Sequence, residues 1–317
     1  MDIQLVTPAP LRINNGNRIT ALRWAALLKR LGHRVRITQS YDGRSCDALI
    51  ALHARRSADS IRRFRELHRE APLIVVLTGT DLYRDIQRDS KAKRSLEVAS
   101  RLVVLQRMAL QALPTALHAK TKVIYQSAES INSKASSPQR RFKVCLIAHL
   151  RDEKDPLRAP LAVRRLPRDS RIELTHIGLA LDDGLAKRAR TEAARNSRYR
   201  WLGQLSHRRT RRILSQSDLV CITSKMEGSS NVLSEALASG VPVIATEIAG
   251  LIGTLGKDFP GYFAVGDTTK LRDLLLKAEK DRTFYRKLQR QCARAAKWVQ
   301  PKRELDSWRR LLRELNP

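Results

Sequence analysis

Short apolar runs alternate with helical patterns of about ten to fifteen residues, and this rhythm passes along the chain twice. The first round contains IQLVT, RVRIT, DALIALH, LIVVLTG, RLVVLQ and KVIYQ, and the second FKVCLIAHL, RIELTHIG, YRWLG, DLVCITS and VPVIAT. After IQLVT and the loop PAPLRINNGN comes RITALRWAALLKRLGH, whose apolar spacing is helical and which ends at Gly32. Such alternation builds a parallel sheet wrapped by helices, because a parallel crossover needs a long return that a helix supplies. Residues 128–141, AESINSKASSPQRR, break the rhythm with no apolar periodicity and read as a linker. The expected fold class is α/β with two doubly wound, Rossmann-like domains facing a cleft. The N-terminal domain spans 1–127, 128–141 link the two, and 142–317 form the C-terminal domain, terminal helices included. Ligands in such sheets lie at the carboxyl ends of the strands, so the loops after strands are where chemistry is expected.

Composition narrows the function classes. The chain has 317 residues, 42% of them hydrophobic, enough for two buried cores. It has no uninterrupted apolar stretch of roughly 18 residues, and MDIQLV lacks the basic leader and apolar core of a signal peptide, so a cytoplasmic protein without integral membrane contact is expected. Cys46, Cys145, Cys221 and Cys292 form no CxxC pair and read as small buried hydrophobes. The formal net charge of +30 invites a nucleic-acid reading. Its distribution argues against one: residues 1–127 hold 23 Lys/Arg against 10 Asp/Glu, and the remainder 38 against 21. There is no basic tail, zinc-finger spacing or RNP-type aromatic pattern, and aromatics are only 5% of residues. Runs such as RRSADSIRRFRELHRE and RRTRRIL read as solvated helix faces. A general attraction for anions remains.

Two post-strand loops of the second half can carry chemistry. In TSKMEGSSNVLSEALASGVPVIAT, residues 223–246, DLVCITS supplies a strand, Glu227, Gly228, Ser229 and Ser230 a turn, and Asn231 to Ser239 a helix ended by Gly240. A glycine and small serines let backbone amides approach an anion, and the helix N-terminus adds partial positive charge, which makes a seat for phosphate. Glu235, about five residues into the helix, lies roughly 7 Å along its axis, about the step from a pyrophosphate to its ribose. A carboxylate there can accept from both ribose hydroxyls, while Glu227 at the mouth of the turn faces a group beyond the phosphates. A helix with an acidic first turn accounts for the same residues equally well. The second loop is AHLRDEKDP, residues 148–156. Alone, Arg151 and Lys154 read as a solvated charged loop. Placed on the same predicted sheet edge as the glutamate turn, they can hold a diphosphate and neutralise the charge that grows as it leaves.

These paired motifs resemble the GT-B glycosyltransferases of the sugar-nucleotide-dependent family 4, whose second domain carries a G-R-L-x-x-E-K loop and two glutamates separated by seven residues. The resemblance implies that Lys154 and an arginine contact the donor diphosphate, that Glu227 lies by the donor sugar, that Glu235 binds the ribose, and that amides of Gly228, Ser229, Ser230 and Asn231 hold phosphate. The chain departs from the pattern at one place: His149 stands where the family has its arginine, and Arg151 follows two residues later. TPAPLRINNGNRITALRWAALLKRLGHRV, ALIALHARRSADSI and VVLTGTDLYRDI are further similar to the selenosugar synthases of selenoneine biosynthesis, a branch of that family. That resemblance implies transfer of N-acetylglucosamine or glucose from a UDP-sugar to selenophosphate, forming a carbon–selenium bond and releasing UDP.

The first domain suits a small phosphate-like acceptor. Asn15, Gly16, Asn17 and Arg18 open the first helix after the first strand, bringing amides, a guanidinium and a helix dipole together. Thr80 and Asp81 close the strand LIVVL and can line the acceptor side, although Asp81 reads equally as a helix cap. His53 and His176 also end strands, as cleft residues or as satisfied, half-buried side chains. No D-x-D motif or His/Cys cluster marks a metal site, and Asp182 and Asp183 read as a turn with a capping residue. A metal-independent enzyme without cofactor is expected, with the UDP-sugar as co-substrate. The alternatives are a GT-B transferase acting on a hydroxyl of a lipid or small metabolite, and a polyanion-binding protein without turnover.

Overall fold

The structure is a computed structural model that describes residues 1–8, 15–131 and 141–315. The chain forms two compact units. The first comprises Met1–Ser127, Glu227–Asn231 and Gln300–Pro317, the second Ala128–Met226 and Val232–Val299.

The first unit runs β1 (Asp2–Val6), α1 (Gly16–Arg30), β2 (Arg34–Thr38), β3 (Ala48–Leu52), α2 (Ala58–Leu67), β4 (Leu73–Leu77), a π-helical turn (Asp81–Asp85), α3 (Ile86–Arg88), α4 (Ser90–Val98), β5 (Arg101–Val104), two 3₁₀ turns and β6 (Thr121–Val123). Among the described residues its sheet is parallel throughout, in the order β2-β1-β3-β4-β5-β6. Each residue of the central strands ALIAL and LIVVL is buried, as expected for strands covered on both faces, whereas the edge strand RVRIT is partly exposed. Alternation sorts the side chains: Leu49, Ala51, Leu73, Val75 and Leu77 join one core with Ile61 and Phe64. Ala48, Ile50, Leu52, Ile74 and Val76 join the other with Trp24.

The second unit runs β7 (Phe142–Ile147), a 3₁₀ turn (Asp152–Lys154), α5 (Arg158–Arg164), β8 (Ile172–Ile177), α6 (Asp183–Arg195), β9 (Tyr199–Trp201), α7 (His207–Ser215), β10 (Leu219–Ile222), α8 (Asn231–Ala238), β11 (Val243–Thr246), α9 (Ala249–Leu255), β12 (Tyr262–Phe263), α10 (Thr268–Lys280) and α11 (Arg282–Ala296). Its parallel sheet has the order β12-β11-β10-β7-β8-β9. β12 was not anticipated, because two residues are too few to show a strand period. Asp182 caps α6 by accepting from the Leu185 amide at 2.7 Å.

The last helix, α12 (Pro301–Leu315), corrects the expected division of the chain. Terminal helices were expected in the second domain, yet α12 belongs to the first unit. Trp308 is fully buried and meets Trp24 edge-on with ring centroids 4.8 Å apart. The Glu304 carboxylate, also buried, accepts from the Trp24 indole at 2.6 Å, from Arg23 Nε at 3.0 Å and from the Ser127 amide at 3.0 Å. Helical periodicity identifies an apolar face but not the sheet it covers. Of the expected linker, 132–140 lie outside the described residues, while Ala128 already bonds Val299 in the second unit. All four cysteines are buried and unpaired.

Candidate functional site

In the second sheet the chain passes from β7 outward to β8 and β9, then returns to β10 on the other side of β7 and proceeds to β11 and β12. The direction of winding reverses between β7 and β10, the place where doubly wound sheets bind ligands. The two loops singled out by sequence follow these two strands. In the loop after β7, Leu150 bridges to Ala180, Asp152–Lys154 form one 3₁₀ turn, and Asp155 takes a left-handed conformation (φ 41°) with its carboxylate held by Arg158 Nε at 2.8 Å. The loop is pinned from its neighbour: Thr223 Oγ1 donates to the Lys154 carbonyl and the Lys225 amide donates to the Glu153 carbonyl, both at 2.9 Å. Lys225 Nζ reaches Asp152 Oδ1 at 2.6 Å. Thr246, ending β11, donates to the Ser224 carbonyl at 2.6 Å and extends the row of ties.

His149 accepts from the Leu179 amide through Nδ1 at 3.0 Å, so its proton resides on Nε2 when neutral. Arg151 is 37% exposed; its Nε is buried, makes no hydrogen bond and lies 4.0 Å from Glu153 Oε2. Gly178, at the end of β8, permits this packing: a Cβ there would sit 1.8 Å from the Ala148 carbonyl oxygen.

Glu235 is the fifth residue of α8, and its side chain is only 8% exposed. One oxygen, Oε1, accepts from His207 Nε2 at 2.7 Å. His207 is the first residue of α7, behind the N-cap Ser206. α8 closes on Gly240 (φ 70°), with the Val241 amide bonded to Ala236 and the Gly240 amide to Leu237, the paired bonds of a Schellman stop.

The remaining candidates lie in the first unit. Asn15 caps α1, accepting from the Arg18 amide at 3.0 Å; Gly16 and Asn17 are the first helical residues, while 9–14 lie outside the described residues. The turn Glu227–Asn231 packs in this unit as well. Asn231 Oδ1 accepts from Arg23 at 2.9 Å and its Nδ2 donates to the Gly16 carbonyl at 3.2 Å. Gly228 and Gly79 meet backbone to backbone: a Cβ on Gly79 would lie 2.8 Å from the Gly228 nitrogen, and one on Gly228 2.5 Å from the Thr78 carbonyl. Glu227 and Ser230 are buried and Ser229 is partly exposed.

Asp81 proves to shape its own loop. Its carboxylate accepts from the amides of Thr78 (2.9 Å), Gly79 (2.8 Å) and Ala54 (3.0 Å), so both oxygens are engaged by backbone. His53, left-handed at φ 72°, accepts from the Arg56 amide through Nδ1 and therefore donates through Nε2 to Thr80 Oγ1 at 3.0 Å. Burial draws its pKa down against the pull of Asp81. His176 is a satisfied core residue and has no part in a binding surface: Nε2 donates to the Ala148 carbonyl at 2.8 Å, Nδ1 accepts from the Tyr199 hydroxyl at 2.9 Å, and burial pulls its pKa to about 4.

Sequence reasoning missed Thr223, Gly178 and His207. The first two directly follow strands, a position that could have flagged them; nothing in the sequence links His207 to Glu235, 28 residues away. Among the described residues no group of three His, Cys, Asp or Glu is placed to hold a metal ion, and no helix is long and apolar enough to cross a membrane.

The family described as glycosyl transferases group 1 matches residues 127–298. N-acetyl-alpha-D-glucosaminyl L-malate synthase of Bacillus anthracis is 36% identical over 77 residues, which are 24% of this chain and 20% of that protein, so the match spans a fifth of the relative's length. Among solved structures, Anabaena HepE in complex with UDP and glucose aligns with a TM-score of 0.74 and 16% identity over 99% of this chain and 100% of that one. Sucrose-phosphate synthase of Thermosynechococcus elongatus aligns with a TM-score of 0.77 and 15% identity over 99% of this chain and 98% of that one. At such identities the likeness concerns the fold, which is the GT-B architecture of two doubly wound domains.

Proposed function

The chain belongs to the glycosyl transferases group 1 family, and on that footing we propose that it transfers N-acetylglucosamine or glucose from a UDP-sugar to selenophosphate, forming a carbon–selenium bond and releasing UDP. The observation that carries the donor half is the tie from Thr223 to the Lys154 carbonyl, which holds the basic loop at the winding reversal of the family-matched unit. The UDP and glucose in the HepE complex and the N-acetylglucosaminyl group in the name of the Bacillus relative support a nucleotide-sugar donor. The segments 7–35, 48–61 and 75–86, similar to the selenosugar synthases, support selenophosphate.

In this reading Glu235 accepts from the ribose hydroxyls, the amides of Gly228, Ser229, Ser230 and Asn231 at the start of α8 hold phosphate, and Glu227 faces the sugar. Selenium donates an electron pair to the anomeric carbon as the bond from that carbon to the diphosphate oxygen breaks, and the electrons leave with UDP. Lys154 and Arg151 meet the charge that grows on the departing diphosphate. With His149 tied to the Leu179 amide, Arg151 supplies the guanidinium of the loop. A polarizable selenium needs little help from a base. Its phosphate group is held by Asn17 and Arg18 at the α1 N-terminus and by the Thr80 hydroxyl, while Asn15 and Asp81 keep those segments in shape.

The deciding experiment measures UDP release from UDP-N-acetylglucosamine and UDP-glucose with and without selenophosphate. Selenophosphate should stimulate release and yield a product containing selenium bonded to the sugar. Release indifferent to selenophosphate overturns the assignment. A hydroxyl acceptor is the second reading, favoured by the L-malate in the name of the Bacillus relative, and predicts release stimulated by hydroxy compounds instead.

A further inference from the structure

Glu235 carries a partner that neither the motif nor the family match assigns. His207 Nε2 lies 2.7 Å from Glu235 Oε1, and the pair joins the first residue of α7 to the middle of α8. The imidazole is 44% exposed, whereas the carboxylate is 8% exposed. A glutamate side chain has three rotatable torsions, and one that must receive a sugar diol gains from being held before the ligand arrives. The backbone of His207 is itself fixed, since Ser206 Oγ accepts from the Arg209 amide at 3.4 Å and the Thr210 amide bonds the Ser206 carbonyl.

We infer that His207 is a positioning residue for the nucleotide: its Nε2–H holds Oε1 of Glu235 and thereby orients the carboxylate toward the ribose. A carboxylate offers about four lone-pair sites, and the histidine takes one, so both oxygens keep capacity for a vicinal diol. His207 touches neither the sugar nor the diphosphate; it acts through Glu235. The inference rests on the reading of Glu235 as the ribose acceptor, and the test separates the two.

Calorimetry of the full chain with UDP and with 2′-deoxy-UDP provides that test. Wild type should prefer UDP by roughly tenfold, the share of one charge-assisted hydroxyl contact. His207→Ala should weaken UDP binding roughly five- to tenfold, leave 2′-deoxy-UDP nearly unchanged and so collapse the preference. His207→Gln, whose amide nitrogen reaches about as far as Nε2, should restore most of it. In a Glu235→Ala background the His207→Ala change should cost nothing further. His207→Leu, which keeps bulk, is read in the same way should the alanine variant fold poorly. Equal weakening of both ligands, or an unchanged preference, would show that the pair is only a tie between two helices and overturn the inference. A wild type that binds UDP but ignores the 2′-hydroxyl removes Glu235 from the ribose, and the role of His207 with it; a wild type that does not bind UDP refutes the donor reading as a whole.

Discussion

The hydroxyl of Thr223 donates to the carbonyl of Lys154 at 2.9 Å, so the loop after β10 holds the backbone of the loop after β7. Thr223 is buried, and Thr223→Val keeps its shape while leaving that carbonyl without this partner. The change is expected to cost about 1 kcal/mol of stability and to lower turnover more than UDP affinity, because the cation on the same residue loses its fixed origin. Thermal unfolding together with kcat and Kd for UDP checks it. Turnover equal to wild type would show that the tie is not needed to place Lys154.

Lys154→Ala should lower kcat by roughly two to three orders of magnitude and weaken UDP binding far less, since a cation placed at the diphosphate contributes most when charge has built up there. Chelation with EDTA should leave the wild-type rate unchanged if Lys154, Arg151 and the α8 amides meet that charge. Rate measurements at saturating donor with and without EDTA read both effects. An EDTA-sensitive rate would assign the charge to a divalent cation.

Two glycines of the second unit should respond differently to alanine. At Gly178 the new Cβ would lie 1.8 Å from the Ala148 oxygen, so β7 and its loop must move, and a loss of more than about 3 kcal/mol is expected. At Gly240 no atom lies within 4 Å of the new Cβ, and only the left-handed backbone resists, at about 1 to 2 kcal/mol. Denaturant titrations of both variants rank them. The reverse order would contradict the packing at Gly178.

His176 gives stability a pH dependence of known sign. Its pKa is about 4 in the fold and close to 6.5 when unfolded, so between these values the unfolded chain binds the extra proton. The contribution is fully present above pH about 6.5, is lost as pH falls toward 4, and amounts to a few kcal/mol. His176→Asn removes the titration. Stability measured at pH 7.5 and 4.5 should differ less in the variant than in wild type, and equal differences would refute the assignment.

Much of the fold was legible because its causes are local. The eleven strand-like runs recur as β1 to β11, since residues such as those of LIVVL and DLVCITS are apolar wherever the sheet is covered. The stop at Gly240 and the cap at Asp182 follow from backbone chemistry within a few residues. The glutamate turn and the basic loop were also recognisable, because each needs a few residue types at fixed spacing after a strand. Less of the site could be read. Asp81 reads equally as a lining residue or a helix cap; only the structure shows it fully buried, with three amides from the ends of β3 and β4 bonded to its carboxylate. His53 and His176 look alike as strand-ending histidines, and the structure buries both with each ring nitrogen bonded, His53 between Arg56 and Thr80 and His176 between Ala148 and Tyr199.

The sequence by itself determined which segments become strands and helices, that they wind into two parallel α/β domains, and which loops stand at the ends of the strands. Tertiary structure alone decided the pairings across the chain: α12 with the first unit through Trp308 and Trp24, Thr223 with Lys154, and His207 with Glu235. The physical reason is range. Burial periodicity and capping are settled within a turn or two of backbone, whereas a buried indole or carboxylate takes whichever partner the finished packing brings within about 3 to 5 Å.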